Sequence, residues 1–336
     1  MDDNDFQEAS SSTEAEPLSV VGAALSIIST IIGGGIISIP YAMTAVGFKT
    51  GILIHVIMII LMMFCTHLYI SARDYLKFDT ISELCFMCFG RSSVFMINAL
   101  VAFVIFGILT LYMLLFTKIS LSLVTPLLST SPDASLIVYI MESKITYILA
   151  LTLFLLPVLL KRNLSELKFQ SRILFFGIIT LLIVLFIKQF EDTDIDRSAA
   201  HIGPDDYAEK FIDAINITIT SYGFVINLFP IQSQMKDKKQ SSVLLAVLLA
   251  LLFCVFSYSL LTKLAINIYG ENNIQQSIFD NLKQDSGILS VGIRGIFLVI
   301  FICNIPYLFF PGKLSILNIL QEYRFRCFSK SLERAT

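Results

Sequence analysis

Residues 26–41 read SIISTIIGGGIISIPY, and they sit inside Leu18 to Phe48, a run without a single charge. The run is long enough to cross a bilayer, which takes ~20 apolar residues. Its middle suits a helix badly. Gly33, Gly34 and Gly35 each cost roughly 1 kcal/mol relative to Ala in a helix interior. Pro40 has no N–H, so the carbonyl of Ile36 loses its partner within the helix. Two half-helices meeting at the glycines leave the last carbonyls of one and the first amides of the other unpaired. In hydrocarbon that is tolerated only where protein or a water-filled cavity supplies replacements. Such a break is the best pointer in a sequence to a transporter binding site. The competing reading is that the glycines only let another helix approach closely.

Composition sets the class. Of 336 residues, 56% are hydrophobic and 15% charged, against ~25% charged in soluble domains. With a mean hydropathy of +0.79, the chain reads as an all-α, multispanning membrane bundle. The net charge of −2 and the lack of a basic tract argue against nucleic acid as a partner and leave membrane lipid as the surroundings. Cys85 and Cys88 form a CxxC with no second pair or nearby His, so no metal site and no cofactor is expected. Residues 1–17 carry six carboxylates and no Lys or Arg. A signal peptide needs a basic start, so this reads as a disordered acidic cytosolic tail.

Eight uncharged stretches mark spans: Leu18 to Val46 (the broken one), Gly51 to Ala72, Phe95 to Leu123, Ile145 to Leu160, Ile173 to Ile187, Phe211 to Ile231, Val243 to Ile268, and Gly287 to Pro311. Residues 18–312 thus form the transmembrane domain and 313–336 a basic cytosolic tail. Between spans two and three, Thr80 and Glu83 make a capping box and Gly90 a stop, which predicts a short interfacial helix over Ile81 to Phe89. Alternate connections and the tail hold 15 of the 24 basic residues, among them Arg73, Arg91, Lys168, Arg172, Lys236, Lys238 and Lys313. The positive-inside rule places that side, with both termini, in the cytosol. The opposite side carries an acidic loop from Gln189 to Glu209. Of the two sequons, Asn163 falls on the cytosolic side and Asn216 inside a span, so neither is expected to carry a glycan.

Span six is interrupted as well. In AINITITSYGFVINLFPIQSQMKDKK, Ala214 to Lys239, Gly223 weakens the helix and Pro230 frees the carbonyl of Ile226, while Ser221, Tyr222 and Asn227 bring polar groups to the same depth. Polar groups inside a membrane are costly and tend to mark pathways. Two broken spans, five apart, suit an inverted repeat with a binding site between its halves.

At this point the chain resembles the amino acid/auxin permease family, which includes the sodium-coupled neutral amino acid transporters. The resemblance lies in IIGGGIISIPYA at Ile31–Ala42, DTISELCFMCFG at Asp79–Gly90, LPVLLKRNLSELKFQS at Leu156–Ser171, NLFPIQSQMKD at Asn227–Asp237, Tyr269-Gly270, and PYLFFPGKLSILNIL at Pro306–Leu320. It implies the LeuT-type fold, amino acid transport, and a substrate held by the unwound parts of spans one and six. Spans three and eight complete such a site, and a sodium ion, where used, sits between spans one and eight. Two departures stand out. The family usually has eleven spans and eight are marked here, so the second repeat lacks its last two helices, as in a truncated isoform, a partial gene model or a divergent member. Sodium-coupled members usually carry Asn four residues before the first glycine of the break, where this chain has Ser29.

A free amino acid brings a carboxylate and an ammonium. Amides around Gly34 to Ile37 meet the carboxylate with the positive end of a helix dipole. Carbonyls of Ser29 to Ile32, and those in the break of span six, accept from the ammonium. The candidate substrate site is therefore Thr30, Ile32, Gly33, Gly34, Gly35, Ile36, Ser221, Tyr222 and Gly223, with Ser26, Ser29 and Asn304 as candidate ion ligands. No Arg or Lys sits mid-membrane for a second carboxylate, so a neutral substrate is expected. Lys118, Lys263 and Arg294 read as snorkelling. The coupling ion is sodium or a proton. For a proton, His55 and His67 are the mid-span candidates, twelve residues apart and so over three turns apart.

The leading reading is a secondary transporter of neutral amino acids, working by alternating access as a symporter in the plasma membrane or a vacuolar or lysosomal membrane. Its rival is a non-transporting amino acid sensor or an inactive truncated homologue. An enzyme has no support: HExxH and GxSxG are absent, and no pair of mid-span carboxylates could serve as acid and base.

Overall fold

The structure, a computed structural model, describes residues 17–33, 35–78, 80–128, 141, 143–160, 168–191, 207–284 and 287–333. The acidic tail, most of the acidic loop, Gly34 and Asn163 lie outside the described residues. What is described is helical, and the backbone of Leu18 and Met235 adds one isolated bridge.

Broken span one forms as two helices. α1, Val20–Ile31, starts at Ser19, whose Oγ accepts from the amide of Gly22 at 3.1 Å, a side-chain cap on an otherwise orphaned donor. It stops at Ile32, and α2, Gly35–Ala45, leaves at 70° to it. The bend falls at the glycines, and Pro40 sits within α2 without ending it. Six further elements follow: α3 (Phe48–Leu76), α4 (Ile81–Phe89), α5 (Arg91–Leu128), α6 (Lys144–Leu159), α7 (Lys168–Lys188) and α8 (Tyr207–Ser221). Then come α9 (Val225–Ser233), α10 (Gln240–Tyr269), the short α11 (Ile278–Gln284) and α12 (Ile288–Glu333). The interfacial helix α4 has the bounds its capping signals predicted: Thr80 Oγ1 accepts from the amide of Glu83 at 3.2 Å, and Gly90 ends it at φ 80°.

Among the described residues, five single helices and the α8–α9 stretch taken together are long and apolar enough to cross a membrane, and the bent α1–α2 pair counts as a seventh if it is one span. The fourth expected span, α6, is a shorter apolar helix of 16 residues. Its last carbonyls, Leu159 and Leu160, accept from Lys313 Nζ at 3.3 and 3.4 Å. Span eight runs on past its expected stop. Pro306 and Pro311 both lie inside α12, which continues to Glu333. A proline in a membrane helix is tolerated where neighbouring helices meet the freed groups, and α12 packs on α5, α6 and α7.

The helices fall into two packing groups. In one, α10 lies against α1, α2 and α3, and α8 against α2 and α3. In the other, α12 lies against α5, α6 and α7, and α7 packs in turn on α1 and α10, so it bridges the two. Backbone pairing fixes how α1 enters the bundle: Leu18 donates to Gln234 O at 2.8 Å and accepts from the amide of Lys236 at 2.9 Å. Gln234 lines the same cavity as Arg73 near the end of α3. Since α3 is a 29-residue helix, about 44 Å long, α1 begins and α3 ends at one end of the bundle. The α1–α2 pair therefore crosses the bundle.

At the other end, Lys118 pairs with Asp280 at 2.6 Å. Arg294, expected to reach for water, is instead buried: it donates to Ser290 O and Ser122 O, both at 3.2 Å, tying α12 to α5. Its position near a span end did not reveal that it faces a neighbouring helix.

Candidate functional site

The two interruptions meet. A side chain on Gly35, the first residue of α2, would put its Cβ 2.6 Å from Ser221 Cβ and 3.1 Å from Ser221 Cα. Ser221 is the last residue of α8, so the ends of two broken helices touch with room for nothing larger than glycine. Gly33 is covered from the other packing group. A Cβ there would run into the Tyr112 hydroxyl of α5 and come within 2.9 Å of Asn304 Nδ2 of α12.

The carbonyls exposed by the first break have side-chain donors. Tyr258 Oη of α10 donates to Ile31 O at 3.2 Å, and Asn304 Nδ2 donates to Ile32 O at 2.5 Å. Burying a carbonyl without a donor costs ~1–3 kcal/mol, and these two bonds remove that cost where the helix stops. Ile32 O was expected to face a substrate ammonium; in this conformation Asn304 occupies it. Thr30 Oγ1 donates to Ser26 O at 3.0 Å and accepts from Asn227 Nδ2 at 3.4 Å, and the same Asn227 amide reaches Tyr307 O at 3.2 Å. Asn227 and Asn304 each spend their N–H groups this way. Their Oδ1 atoms are buried and have no donor among the described residues.

The second break spans Tyr222 to Phe224, where the helix stops after Ser221 and restarts at Val225. Tyr222 Oη lies 2.9 Å from His55 Nδ1 of α3, and its ring stands edge-on to Tyr258 at 6.0 Å between centroids. His55 Nε2 is buried without a partner among the described residues. His67 is exposed and pairs with Gln240 Nε2 at 2.9 Å, away from both breaks.

Of the predicted substrate residues, Thr30, Ile32, Gly33, Gly35, Ser221 and Tyr222 come together around the two breaks. Ile36 is buried beside them, and its amide bonds Gly33 O at 3.2 Å. Gly223 is exposed and makes no close approach to the first break. Among the ion candidates, Ser26 and Ser29 donate back to Gly22 O and Leu25 O within α1, at 3.1 and 2.9 Å. The hydroxyl of Ser26 also lies against the Tyr307 hydroxyl, as does that of Ser171. Tyr112 and Tyr258 were missed. The available signal was a phenol in the middle of an apolar span, since a buried Tyr hydroxyl usually has a partner.

This arrangement gathers at mid-bundle two amide oxygens in want of donors, the backbone of two broken helices, and a set of tyrosines. Among its described residues there is no carboxylate and no basic side chain except His55. Compared with protein-family models, residues 16–334 match the one described as transmembrane amino acid transporter protein.

Proposed function

The chain belongs to the transmembrane amino acid transporter family, and from that premise we propose that it carries neutral amino acids across a membrane by alternating access, with the substrate held where the two broken helices meet. It is an integral, multi-pass membrane protein, and transporters of this family are not enzymes. One observation carries the finer reading: Asn227 and Asn304 leave two buried amide oxygens without donors beside the break at Gly33. An ammonium brings the donors those oxygens want, and the amides at the start of α2 bring the positive dipole end a carboxylate wants. With no carboxylate, Lys or Arg among the described residues of the site to meet a third group, it suits a zwitterion.

Alternating access is supported by the two packing groups. The first and sixth spans, with α3 and α10, form one body, α5, α6 and α12 form the other, and α7 packs on both. Few polar contacts bridge them at the site, chiefly Asn304 to Ile32 and Asn227 to Tyr307. Rocking one body against the other breaks these two and frees both acceptors for substrate. The LeuT-type arrangement, the domain limits 18–312 and cytosolic termini belong to the same proposal.

The test is uptake into proteoliposomes of labelled neutral, acidic and basic amino acids, each competed by the unlabelled compound. Saturable uptake of neutral amino acids alone supports the reading. Binding without accumulation assigns the protein to sensing, and preferred uptake of an acidic or basic amino acid removes the neutral-substrate assignment.

A further inference from the structure

Among the described residues gathered around the two breaks, His55 alone has a side chain that ordinarily titrates near neutral pH. Its ring is fully buried, with Nδ1 2.9 Å from Tyr222 Oη. It stands edge-on to the Tyr222 ring at 5.6 Å between centroids and tilted against the Tyr258 ring at 5.8 Å. These two tyrosines connect it to both interruptions. Tyr222 follows the last residue of α8, and Tyr258 donates to Ile31 O, where α1 stops.

A neutral imidazole has one N–H and one lone pair. If Tyr222 donates to Nδ1, then Nε2 carries a hydrogen that needs an acceptor; if Nδ1 donates, Nε2 is a lone pair that needs a donor. Neither exists among the described residues, and Nε2 is buried. Packing alone gives no reason to keep a buried nitrogen unsatisfied, whereas a role in another state does. The ring also faces no anion. Helices α2, α8 and α10 pack on α3. They bring Tyr222 from the end of α8, Tyr258 and Cys254 from α10, and Tyr41 as the one titratable residue of α2. The charged residues nearest along these helices are Lys49, Asp213 and Lys263, six, nine and five positions from His55, Tyr222 and Tyr258 respectively. A charge on a buried ring is costly without a partner, so an imidazolium here waits for an anion to arrive.

We propose that His55 is a proton site coupled to the substrate site: its ring takes up a proton when the amino acid binds and gives it back when the amino acid leaves. This rests on the transport reading above. The substrate's carboxylate is the missing anion. Held by the amides at the start of α2, it comes to the place where Gly35 meets Ser221, the residue before Tyr222. An anion there favours the charged form of the nearby imidazole. The proton comes from water on the side to which the site is open and adds to the ring's lone pair. Nδ1–H then donates to Tyr222 Oη. His67 has no part in this, being exposed and paired with Gln240 away from both breaks.

The probe is L-alanine, titrated calorimetrically into the full chain in detergent, in buffers of different ionisation enthalpy. The buffer dependence of the heat counts the protons taken up. Wild type and His67→Gln should take up about one proton per alanine near neutral pH, and Kd should rise up to about tenfold per pH unit on the alkaline side. His55→Gln offers Tyr222 a hydrogen-bond partner that does not titrate. It should bind alanine more weakly, with no proton uptake and a flat pH profile. A packing role for His55 predicts instead a lower thermal midpoint with the proton count of wild type. Should His55→Gln fail to fold, Tyr222→Phe keeps the imidazole and removes its partner. It should displace the pH profile, and a profile identical to that of wild type overturns the proposal. Alanine binding by wild type without proton uptake also overturns it and leaves the transport reading standing, as does proton uptake that survives in His55→Gln. Failure to bind alanine or any other neutral amino acid removes the transport reading and this proposal with it.

Discussion

Asn304 donates its side-chain amide to the carbonyl of Ile32 at 2.5 Å, across 272 positions of the chain. This one bond joins the broken span to the other packing group and supplies a donor to a carbonyl that its own helix has abandoned. Asn304→Ala removes that donor and should cost ~1–3 kcal/mol, read as a lower thermal midpoint of the detergent-purified protein. Tyr258→Phe keeps the ring and loses only the bond to Ile31 O, so it should cost about 1 kcal/mol. A larger loss from Tyr258→Phe than from Asn304→Ala would reverse this ranking.

The glycines of the break are separable by what covers them. Gly33→Ala runs into Tyr112, chiefly its hydroxyl, whereas Gly35→Ala runs into Ser221 down to the backbone. Each overpacks a closed contact at a cost of about 1–3 kcal/mol. Tyr112→Phe should recover part of the stability lost by Gly33→Ala and none of that lost by Gly35→Ala. Recovery of both, or of neither, contradicts the arrangement.

Both breaks could be read from the sequence because glycine leaves a local record, whereas Pro40 and Pro230 lie inside helices that continue past them. α4 was legible to its last residue for the same reason: Thr80 starts it and Gly90 stops it. Partners across the fold left no such record. Nothing near Tyr258 or Asn304 in sequence says that each faces the end of α1, and Arg294 was misjudged because a span end does not tell which face a side chain is on. Span eight was ended at Pro311 because Lys313 closes the uncharged run, and a charge limits the apolar stretch without stopping the helix, which continues to Glu333.

Sodium dependence follows from Ser29, whose hydroxyl donates to Leu25 O inside α1. A hydroxyl this short, turned back onto its own helix, extends less far from it than the amide oxygen of an Asn would. Uptake with sodium replaced by choline at fixed pH should therefore fall by less than about tenfold, or 1.4 kcal/mol. A greater loss would show sodium bound by other oxygens, Asn304 Oδ1 first among them.

Acid should act on the start of α10. Asp237 Oδ2 accepts from Ser242 Oγ at 2.7 Å and its Oδ1 from the amide of Lys239 at 3.2 Å. These bonds, the one to Ser242 foremost, hold its carboxyl below the usual range. A depressed folded pKa gives stability that is present above the unfolded value of about 3.9 and is lost as pH falls through the folded one. Thermal midpoints of wild type and Asp237→Asn should differ at neutral pH and converge in strong acid. A gap that stays constant with pH would show that the charge is not what matters.

The central claim is that the break at Gly33 to Gly35 is where substrate binds, and Gly34→Val tests it most directly. A β-branched side chain there stands where a substrate must meet bare backbone. Membrane abundance and binding of a labelled neutral amino acid are measured on the same sample. The account predicts nearly unchanged folded protein with binding abolished. Misfolding and loss of surface protein, with survivors that still bind, would make the glycines a packing device, and normal abundance with normal binding would remove this stretch from the site.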